Sequence, residues 1–566
     1  MAVERIGSII KHLAPGSSIN NIQSKNPDDI VITLAIRTPL TKAKKGGFKD
    51  TSLEYMVYAL LKEVRELSHL DPALVEDISL GNVSDAKAAY KVRASALAAG
   101  FPNTTAASSV NRFCSSGLKA TADIAHAITN GSISIGIAMG AEQMTVGGDA
   151  LDKPFDEAVT SQSQEAVDCM QPMGWTSENV SKDFGVTREA MDKYAAESFQ
   201  KAEAAQKAGW FDDEIVPITT KVKGPDGEVK EVTLTKDEGI RPGTTAESLG
   251  KIRSAFPQWG GCTTGGNASQ ITDGAAALLL MKRSTAEQLG QPIMAKYVGS
   301  TVAGLAPRIM GIGPSIAIPK LLSQHDISLE DVDVVEINEA FASMAVYCQD
   351  KLGLTSDKMN PRGGAIALGH PLGATGARQI VTGLAELRRQ KKKILLTSMC
   401  IGTGQGMAGL FVNEQVLSQL KRRRPNRRHW AAHLVLKALI LHGRCRVHGT
   451  TSNLHRLQAA GIAEQHGPSH SPTFAGTPVL EETPLGGSGG HLGTAARPDV
   501  TEMHVLQRVG KFSFKGLQRL DMIGRLGETG WDLRWSNCLM ITPEGKGKEK
   551  RTLGLEWGPW AGTSSS

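Results

Sequence analysis

The sequence predicts an α/β fold built from two similar halves. Short β-branched runs alternate with helical stretches from about Asp29 to Asn413, a pattern typical of βαβ units around a mostly parallel sheet. The 566 residues include 61 glycines and only 5% aromatic residues, which suits closely packed, buried helices. An internal repeat is also visible. We therefore expect a layered α/β core of two related βαβ halves.

The elements of the first half follow in order from the local pattern. A β-rich run at Asp29–Ile32 begins the folded region. A helix is predicted over Leu53–Leu67, and strands are predicted over Asp77–Leu80 and Ser134–Met139. These elements predict one βαβ-type half before residue 145.

The internal repeat relates three segments of the first half to three of the second. It predicts that Cys114 and His370 lie at equivalent helix starts that face each other across a pseudo-twofold axis. The matched pairs are 77–82 with 333–338, 114–117 with 370–373, and the strand ending at Gly140 with 394–399.

The stretch from about Thr145 to Arg253 has no counterpart in the second half. It contains a predicted amphipathic helix at Arg188–Ala208 and a predicted hairpin over Ile218–Leu234. We interpret it as an insertion that covers the site. The predicted organisation is a leader at 1–28, a first half at 29–285, a second half at 286–414 and a tail at 415–566.

The composition changes at the start of the tail. A basic run at Lys421–Arg424 is followed by sequence rich in Gly, Pro, Ser and Thr, so we expect mostly disorder or a poorly packed appendage. The basic run is interpreted as a solvated charge cluster rather than a site for nucleic acid or an acidic membrane. An alternative is that the tail is an artefact of the gene model.

The amino terminus carries a candidate targeting signal. Arg5 and Ile6, then five residues, then His12 and Leu13 resemble the type-2 peroxisomal targeting signal, which an import receptor reads. The alternatives are a chance match and a mitochondrial transit peptide. We expect a peroxisomal protein.

Composition excludes several classes of function. The net charge of +6 is modest for this length, so no nucleic-acid partner is expected. Seven cysteines at irregular positions, without C-x-x-C pairs, argue against a zinc site or a disulfide framework. No apolar run approaches the roughly 18 residues that a membrane span needs.

One cysteine lies in a context that suits a nucleophile. Cys114 is predicted in the first turn of a helix, where free N–H groups and the helix dipole would lower the pKa of its thiol. Alone this signal is weak, because a single buried cysteine is more often an inert small hydrophobe. Distant segments strengthen it.

Seven segments together resemble the thiolases, and among them the peroxisomal-type 3-ketoacyl-CoA thiolases. The resemblance runs from about Asp29 to Glu414 and implies a layered αβαβα fold. The segments are, in order, NRFCSSGLKA, PMGWTSENV, DEGIRPGTT, GGNASQITDGAAA, VEINEAFA, NPRGGAIALGHPLGATGAR and SMCIGTGQG.

The resemblance implies the roles of the reacting groups. Cys114 would be the nucleophile that takes the acyl group, and His370 would take its proton. Cys400 would be the second catalytic cysteine, which gives or removes a proton at the acetyl-CoA carbon. Asn338 would hold a water that forms one oxyanion hole with His370, and the backbone N–H groups of Cys114 and Gly402 would form the other.

The resemblance also implies the groups that surround the reaction. Arg241, Ser248 and Ser269 match positions that contact CoA, and Met173 would line the acyl pocket. Glu339 would orient neighbouring groups, or it would be a carboxylate at a helix start.

The expected activity is thiolytic cleavage of 3-ketoacyl-CoA by CoA, through an acyl-cysteine intermediate. CoA would be a co-substrate, no metal or other cofactor is implied, and a homodimer is expected. A biosynthetic acetoacetyl-CoA thiolase would use the same residues in the condensing direction. A decarboxylating ketoacyl synthase fits less well, because it would use one Cys and two His. A non-catalytic scaffold whose function lies in the tail is the alternative of a different class.

Overall fold

The computed structural model describes residues 18–146 and 155–415, and the backbone of 521–527 and 530–536. The chain divides into two units after Arg424. In the second unit, strands β13 (Asp521–Gly527) and β14 (Gly530–Ser536) form an antiparallel hairpin. The targeting motif between residues 5 and 13 and most of the predicted tail lie outside the described residues.

The first half contains the strands and helices that the alternating pattern predicts. The helix predicted from residue 53 and the strands predicted from residues 77 and 134 are confirmed, with ends that shift by one to four residues. In chain order the elements are α1 (Ser18–Gln23), β1 (Ile30–Arg37), β2 (Thr41–Lys42), α2 (Leu53–Ser68), a 3-10 turn (Pro72–Leu74), β3 (Asp77–Gly81), α3 (Ala88–Ala98), β4 (Ala106–Val110), α4 (Ser116–Thr129) and β5 (Ile135–Gln143).

The insertion is mainly helical. Its long helix and its hairpin are confirmed close to their predicted limits, and Thr187 caps the long helix by accepting a hydrogen bond from the N–H of Ala190. The elements are α5 (Glu157–Thr160), α6 (Gln164–Asp168), α7 (Met173–Phe184), α8 (Arg188–Lys207), β6 (Ile218–Lys223), β7 (Val229–Leu234) and α9 (Ala246–Gly250).

The rest of the first unit completes the first half and builds the second. The elements are β8 (Thr272–Lys282), α10 (Arg283–Gln288), β9 (Ala295–Gly304), a 3-10 segment (Pro307–Ile312), α11 (Gly313–His325), β10 (Val334–Ile337), α12 (Ala342–Leu352), α13 (Ala365–Leu368), α14 (Thr375–Gln390), β11 (Ile394–Ile401) and β12 (Gln405–Asn413).

The two halves repeat one strand order. The first half runs β4-β3-β5-β8-β1 and the second runs β10-β11-β12-β9, so β3, β5, β8 and β1 correspond to β10, β11, β12 and β9. A short antiparallel pairing of Val31 with Lys296 and Ile32 with Ala295 joins the halves. The chain therefore carries a duplicated unit, as the internal repeat predicts.

The expectation of a mostly parallel sheet is wrong. Among the described strands, β3 pairs in parallel with β4 and β5, and β10 pairs in parallel with β11, but the other pairings in the two halves are antiparallel. One reason is local: only residues 402–404 separate β11 from β12, and so short a turn permits only a hairpin.

Helices α4 and α14 form a layer between the two halves. Apolar side chains of α4 and α14 pack together with those of both halves in one core cluster, including Leu118, Ile380, Leu278 and Leu395. Helices α2 and α3 cover the outer face of the first half, and α11 covers β9 and β12. The order is therefore helix, sheet, helix, sheet, helix.

The two central helices meet at glycines near their first residues. A Cβ on Gly117 would lie 2.7 Å from the backbone nitrogen of Ala377, and a Cβ on Gly376 would overlap the backbone nitrogen of Leu118. These reciprocal contacts pair Gly117 with Gly376 across the pseudo-twofold axis. The predicted register, which places 114–117 over 370–373, is therefore wrong by three residues.

Candidate active site

Cys114 lies in a tight turn immediately before α4. The side-chain oxygen of Asn111 accepts a hydrogen bond from the N–H of Phe113 at 2.8 Å, and the Ser116 hydroxyl donates to the Phe113 carbonyl at 2.7 Å. Phe113 has φ of 46°, a left-handed conformation that a bulky side chain seldom adopts. Cys114 itself precedes the N-cap residue Ser115, so its predicted place in the first helical turn is corrected.

Burial reverses the expected effect of the helix on the Cys114 thiol. Burial raises the pKa of Cys114 to about 11, although the nearby backbone N–H groups of Gly402 and Cys114 favour the thiolate. The negative charge of Glu142 raises the pKa further. The expected low thiol pKa is therefore wrong for the enzyme without substrate, because desolvation outweighs the helix start.

His370 is a buried histidine whose two ring nitrogens have different partners. Its Nδ1 lies 2.6 Å from the hydroxyl of Thr375, and that hydroxyl donates to the Pro371 carbonyl at 3.0 Å. Because the amide nitrogen of Asn338, a donor, faces Nε2 at 3.3 Å, every contact is satisfied when Nδ1 carries the proton and donates to Thr375. Nε2 is therefore the unprotonated nitrogen. Burial and the positive charge of Arg378 lower the pKa of His370 to about 3, so the ring is neutral and able to accept a proton.

Asn338 follows β10 and lies beside His370. Its side-chain nitrogen is 3.3 Å from Nε2 of His370, and its backbone N–H donates to the Ser398 carbonyl at 2.9 Å. Its side-chain oxygen is buried and accepts no hydrogen bond from any described residue. A buried acceptor without a donor indicates a place for a water molecule or a polar group of a substrate.

Cys400 is a fully buried thiol near the end of β11. It packs in a cluster with Met310, Ala340 and Met344, and its sulfur lies 3.8 Å from that of Met344. Burial raises its pKa well above the usual range, and the nearby thiol of Cys114 adds to this effect. The two thiols therefore share one site.

Gly402 and Met173 lie against this pair of thiols. Gly402 follows β11, and a Cβ built on it would be 3.8 Å from the sulfur of Met173 and 3.8 Å from the ring of Phe113. Met173 begins α7 of the insertion and packs onto the Cys400 cluster. The structure thus brings the predicted pocket residue Met173 to the two cysteines.

Glu339 does not touch the reacting groups. Its carboxylate accepts hydrogen bonds from the side chains of Tyr194 (2.9 Å), Ser198 (2.7 Å) and Asn360 (2.8 Å) and from the N–H of Ile366 (3.1 Å). These donors belong to the insertion and to two segments of the second half. Glu339 therefore fastens the insertion to the strand end that carries Asn338.

The three predicted CoA contacts lie in the insertion and in the loop that follows it. Arg241 is half-buried, with its guanidinium 5.4 Å from the ring centre of Phe199. Ser248 forms a capping box with Thr245 at the start of α9. The backbone N–H of Ser269 donates to the Ala340 carbonyl at 2.9 Å, which attaches this loop next to Glu339.

Sequence reasoning missed three residues at the site. Thr375 holds Nδ1 of His370, Arg378 lowers the pKa of His370, and buried Glu142 accepts a hydrogen bond from the N–H of Gly373 in the turn after His370. Glu142 had a detectable signal, because a carboxylate near the end of an apolar strand is uncommon. Thr375 and Arg378 had none beyond their place after His370.

In the described part of the chain, no group of three or more His, Cys, Asp or Glu side chains is arranged to hold a metal ion. No helix among the same residues is long and apolar enough to cross a membrane.

Two neighbouring buried thiols and a buried neutral imidazole, in a chain of two related halves, are typical of a thiol-dependent acyl-transfer enzyme. Residues 30–284 match the family model for the thiolase N-terminal domain, and residues 291–413 match the model for the thiolase C-terminal domain. The chain belongs to the thiolase family.

Curated and solved relatives agree with this assignment. The chain is 51% identical over 417 residues to the peroxisomal 3-ketoacyl-CoA thiolase of Yarrowia lipolytica, covering 73% of this chain and 100% of that protein. It resembles the crystal structure of the dimeric peroxisomal thiolase of Saccharomyces cerevisiae with a TM-score of 0.64 and 46% identity, over 70% of this chain and 100% of that one.

A second solved structure supports the predicted order of helix and sheet layers. It is a peroxisomal 3-ketoacyl-CoA thiolase of Saccharomyces cerevisiae, described as a five-layered α-β-α-β-α structure of two core domains with identical topology. The match has a TM-score of 0.56 and 41% identity, over 69% of this chain and 99% of that one. The predicted layered αβαβα fold is confirmed.

Proposed function

We propose that this chain cleaves 3-ketoacyl-CoA with CoA, releasing acetyl-CoA and an acyl-CoA shortened by two carbons, as the last step of β-oxidation in the peroxisome. The observation that carries the proposal is the proximity of the buried Cys114 and Cys400 thiols in a thiolase fold whose neutral His370 lies beside Asn338. The names of relatives that are 46–51% identical support the substrate class and the compartment.

The first step forms a thioester on Cys114. Nε2 of His370 takes the thiol proton, and the resulting thiolate attacks the C3 ketone of the substrate. The raised pKa of Cys114 keeps the thiol protonated until substrate arrives, and a neutral imidazole is ready to accept that proton. The Cys114 thiolate therefore forms only when substrate is bound and the attack on C3 begins.

The second step breaks the bond between C2 and C3. The tetrahedral oxyanion collapses to the Cys114 thioester, and the electron pair of the broken bond leaves as the enolate of acetyl-CoA. Cys400 donates its proton to C2 of this enolate, which completes acetyl-CoA. A thiol with a strongly raised pKa is protonated at neutral pH and suits this donor role.

Two sets of donors stabilise the oxyanions. The N–H groups of Cys114 and Gly402, which favour the thiolate on the sulfur, would donate to an oxygen on the carbon bonded to it. A water bound at the unpaired side-chain oxygen of Asn338, together with His370, forms the second set, at the thioester oxygen of the enolate.

The third step returns the acyl group to CoA. The Cys400 thiolate left by the second step takes the proton of the CoA thiol, and the CoA sulfur attacks the Cys114 thioester. Cys114 leaves as a thiolate and recovers its proton from His370. The order is ping-pong, and CoA is the co-substrate.

CoA binding is assigned to the insertion and the loop after it. The guanidinium of Arg241 suits the phosphates or the base of CoA, and the hydroxyls of Ser248 and Ser269 suit the pantetheine amides. Replacing Arg241 with Ala is expected to raise KM for CoA about tenfold with little change in kcat, because a contact remote from the reaction contributes binding alone. An equal fall of kcat would argue against this assignment.

The cellular context rests on the amino terminus and on the relatives. Arg5, Ile6, His12 and Leu13 would engage a peroxisomal import receptor, and a homodimer is proposed from the dimeric relative. Mislocalisation of a fluorescent fusion after Arg5 and Leu13 are both replaced by Ala would support the targeting motif. Unchanged import would refute it.

The decisive experiment compares substrates on the full chain. Thiolysis of a long-chain 3-ketoacyl-CoA should exceed thiolysis of acetoacetyl-CoA, and a marked reverse preference would favour the biosynthetic activity. Cys114→Ser should lose thiolysis, whereas Cys262→Ser should retain it. Absence of turnover with every substrate would favour the non-catalytic scaffold.

A further inference from the structure

Glu142 is a buried carboxylate that the proposed reaction does not use. It lies near the end of β5 and is fully buried. On the side of the first half, it accepts hydrogen bonds from the Asn82 side chain (3.2 Å), from the N–H groups of Val83 (3.0 Å) and Ser84 (3.0 Å), and from the Ser84 hydroxyl. On the side of the second half, it accepts one from the N–H of Gly373 at 2.8 Å.

These donors belong to two turns, and each turn leads to one of the reacting groups. The carbonyl of Val83 accepts a hydrogen bond from the Asn111 side chain at 3.2 Å, and Asn111 in turn holds the N–H of Phe113 next to Cys114. Gly373 lies in the short turn between His370 and its partner Thr375. The Glu142 carboxylate thus links the turn before Cys114 to the turn after His370.

The two turns are packed without space between them. A Cβ on Gly373 would lie 2.6 Å from the carbonyl oxygen of Gly81, 2.7 Å from Cα of Asn82 and 2.9 Å from the Glu142 carboxylate. Any displacement of the carboxylate therefore moves backbone on both sides, because no flexible side chain separates them.

The duplicated fold gives a second, independent indication. Asn338 directly follows β10, and Cys400 lies two residues beyond the residue of β11 that pairs with the last residue of β10. Asn82 directly follows β3, and Glu142 lies two residues beyond the residue of β5 that pairs with the last residue of β3. Asn82 and Glu142 thus hold, in the first half, the positions of Asn338 and Cys400 in the second.

We infer that Glu142 is a positioning residue that clamps the turn before Cys114 to the turn after His370 and so sets the thiol within reach of the imidazole. The inference rests on the proposed function for its meaning in catalysis. At the positions equivalent to Asn338 and Cys400, the first half carries the hydrogen-bonded residues Asn82 and Glu142 instead of a second set of catalytic residues.

The charge of Glu142 and its hydrogen bonds to both turns predict opposite effects on the reactivity of Cys114 when the carboxylate is removed. Burial is the main reason that the pKa of Cys114 is raised, and the charge of Glu142 adds to it. If the charge were the only link, Glu142→Gln would make the thiolate easier to form and Cys114 would react faster. If the clamp matters, the amide loses N–H partners on one side and the turn before Cys114 shifts. The backbone groups of Cys114 and Gly402 that favour the thiolate then lose their place at the sulfur, and Cys114 reacts more slowly.

The test measures carbamidomethylation of Cys114 by iodoacetamide at pH 8 in the full chain, followed by peptide mass spectrometry, together with single-turnover acylation by a 3-ketoacyl-CoA. Glu142→Gln should slow both reactions at least fivefold. The control is Glu386→Gln, a buried carboxylate that accepts from Arg362 (2.7 Å) and Arg389 (2.8 Å) on the far part of α14. It should lower the melting temperature but leave the Cys114 rate within twofold of wild type.

A rate in Glu142→Gln that equals or exceeds that of wild type overturns the inference. Should this variant fail to fold, Ser84→Ala decides, because it removes one donor and keeps the carboxylate. A two- to threefold slower rate is expected, and an unchanged rate overturns the inference. Wild-type protein that is alkylated at Cys114 but turns over no thioester would refute the proposed function, while the alkylation series would still test the clamp.

Discussion

Nδ1 of His370 lies 2.6 Å from the hydroxyl of Thr375, and this contact selects the protonation state of the ring. The hydroxyl lies 3.0 Å from the Pro371 carbonyl and the Asn338 amide nitrogen faces Nε2, so all three contacts are satisfied when Nδ1 donates to Thr375. Nε2 is left without a proton on the side of Asn338. The Thr375 hydroxyl, which takes no part in the reaction, thus leaves Nε2 of His370 able to accept a proton.

Thr375→Val is expected to lower kcat about tenfold to a hundredfold. Valine has nearly the same shape but leaves the Nδ1 proton without an acceptor, and an unsatisfied buried donor costs roughly 1–3 kcal/mol. Steady-state thiolysis measures the effect. Thr375→Ser keeps the hydroxyl and should retain most activity, and equal loss in both variants would argue against control of the tautomer.

Cys400→Ala is expected to separate the two halves of the reaction. Loss of the proton donor should slow carbon–carbon cleavage at least about a hundredfold. Transfer of an acyl group from a simple acyl-CoA to Cys114 should slow far less, because this exchange creates no carbanion and CoA can leave as a thiolate. Radiolabelled acyl-CoA would detect the acyl-enzyme, and its absence in Cys400→Ala would show that Cys400 is needed for acylation itself.

The reactivity of Cys114 in the free enzyme should increase steadily with pH. With the pKa raised to about 11, the rate of alkylation by iodoacetamide should rise about tenfold per unit between pH 7 and pH 10. No inflection is expected near pH 6.5, because the pKa of His370 is lowered to about 3 and the ring stays neutral across this range. A plateau at neutral pH would indicate a thiolate–imidazolium pair instead.

Glu214→Gln is expected to destabilise the protein by about 3 kcal/mol or more. Glu214 accepts from Arg37 at 2.6 Å, Arg362 at 3.1 Å and Thr382 at 2.9 Å, and the ion-paired side chains are at most 2% exposed. Removing one charge leaves buried cations undercompensated. Urea denaturation measures the free energy of unfolding.

The matched control for Glu214 is an ion pair at the surface. Asp183→Asn breaks the pair with Arg308, whose side chain is 39% exposed, and should cost less than about 1 kcal/mol. Similar losses of unfolding free energy in Glu214→Gln and Asp183→Asn would show that the buried ion pairs of Glu214 stabilise the fold no more than an exposed pair does.

Local sequence signals predicted the insertion well. Helix α8 begins at its predicted residue, and the predicted hairpin has its strands at Ile218–Lys223 and Val229–Leu234. Both depend on information within a few residues: apolar periodicity, a capping threonine, and the glycine-containing turn at 224–227. The prediction that Cys114, His370, Asn338 and Cys400 share one site required the family motifs in addition.

Other features depend on contacts between distant segments and could not be predicted from the sequence. The sign of the Cys114 pKa shift is set by burial, which the local pattern of residues does not report. The register of the repeat failed because the match of 114–117 with 370–373 rested on one shared residue, the glycine that ends both segments. The contact between Gly117 and Gly376 shows the true pairing. Glu142 carried a signal as a carboxylate in an apolar strand, but its role could not be predicted, because its partners come from both halves.

The crossing of α4 and α14 at two glycines has a consequence for how the enzyme can change. Cys114 and His370 are placed by backbone pressed against backbone, so their spacing has little freedom to adapt when side chains vary. Met173, in contrast, reaches the site from the insertion, which lies outside the duplicated core. Substrate range can therefore diverge through the insertion while the spacing of the reacting groups is preserved.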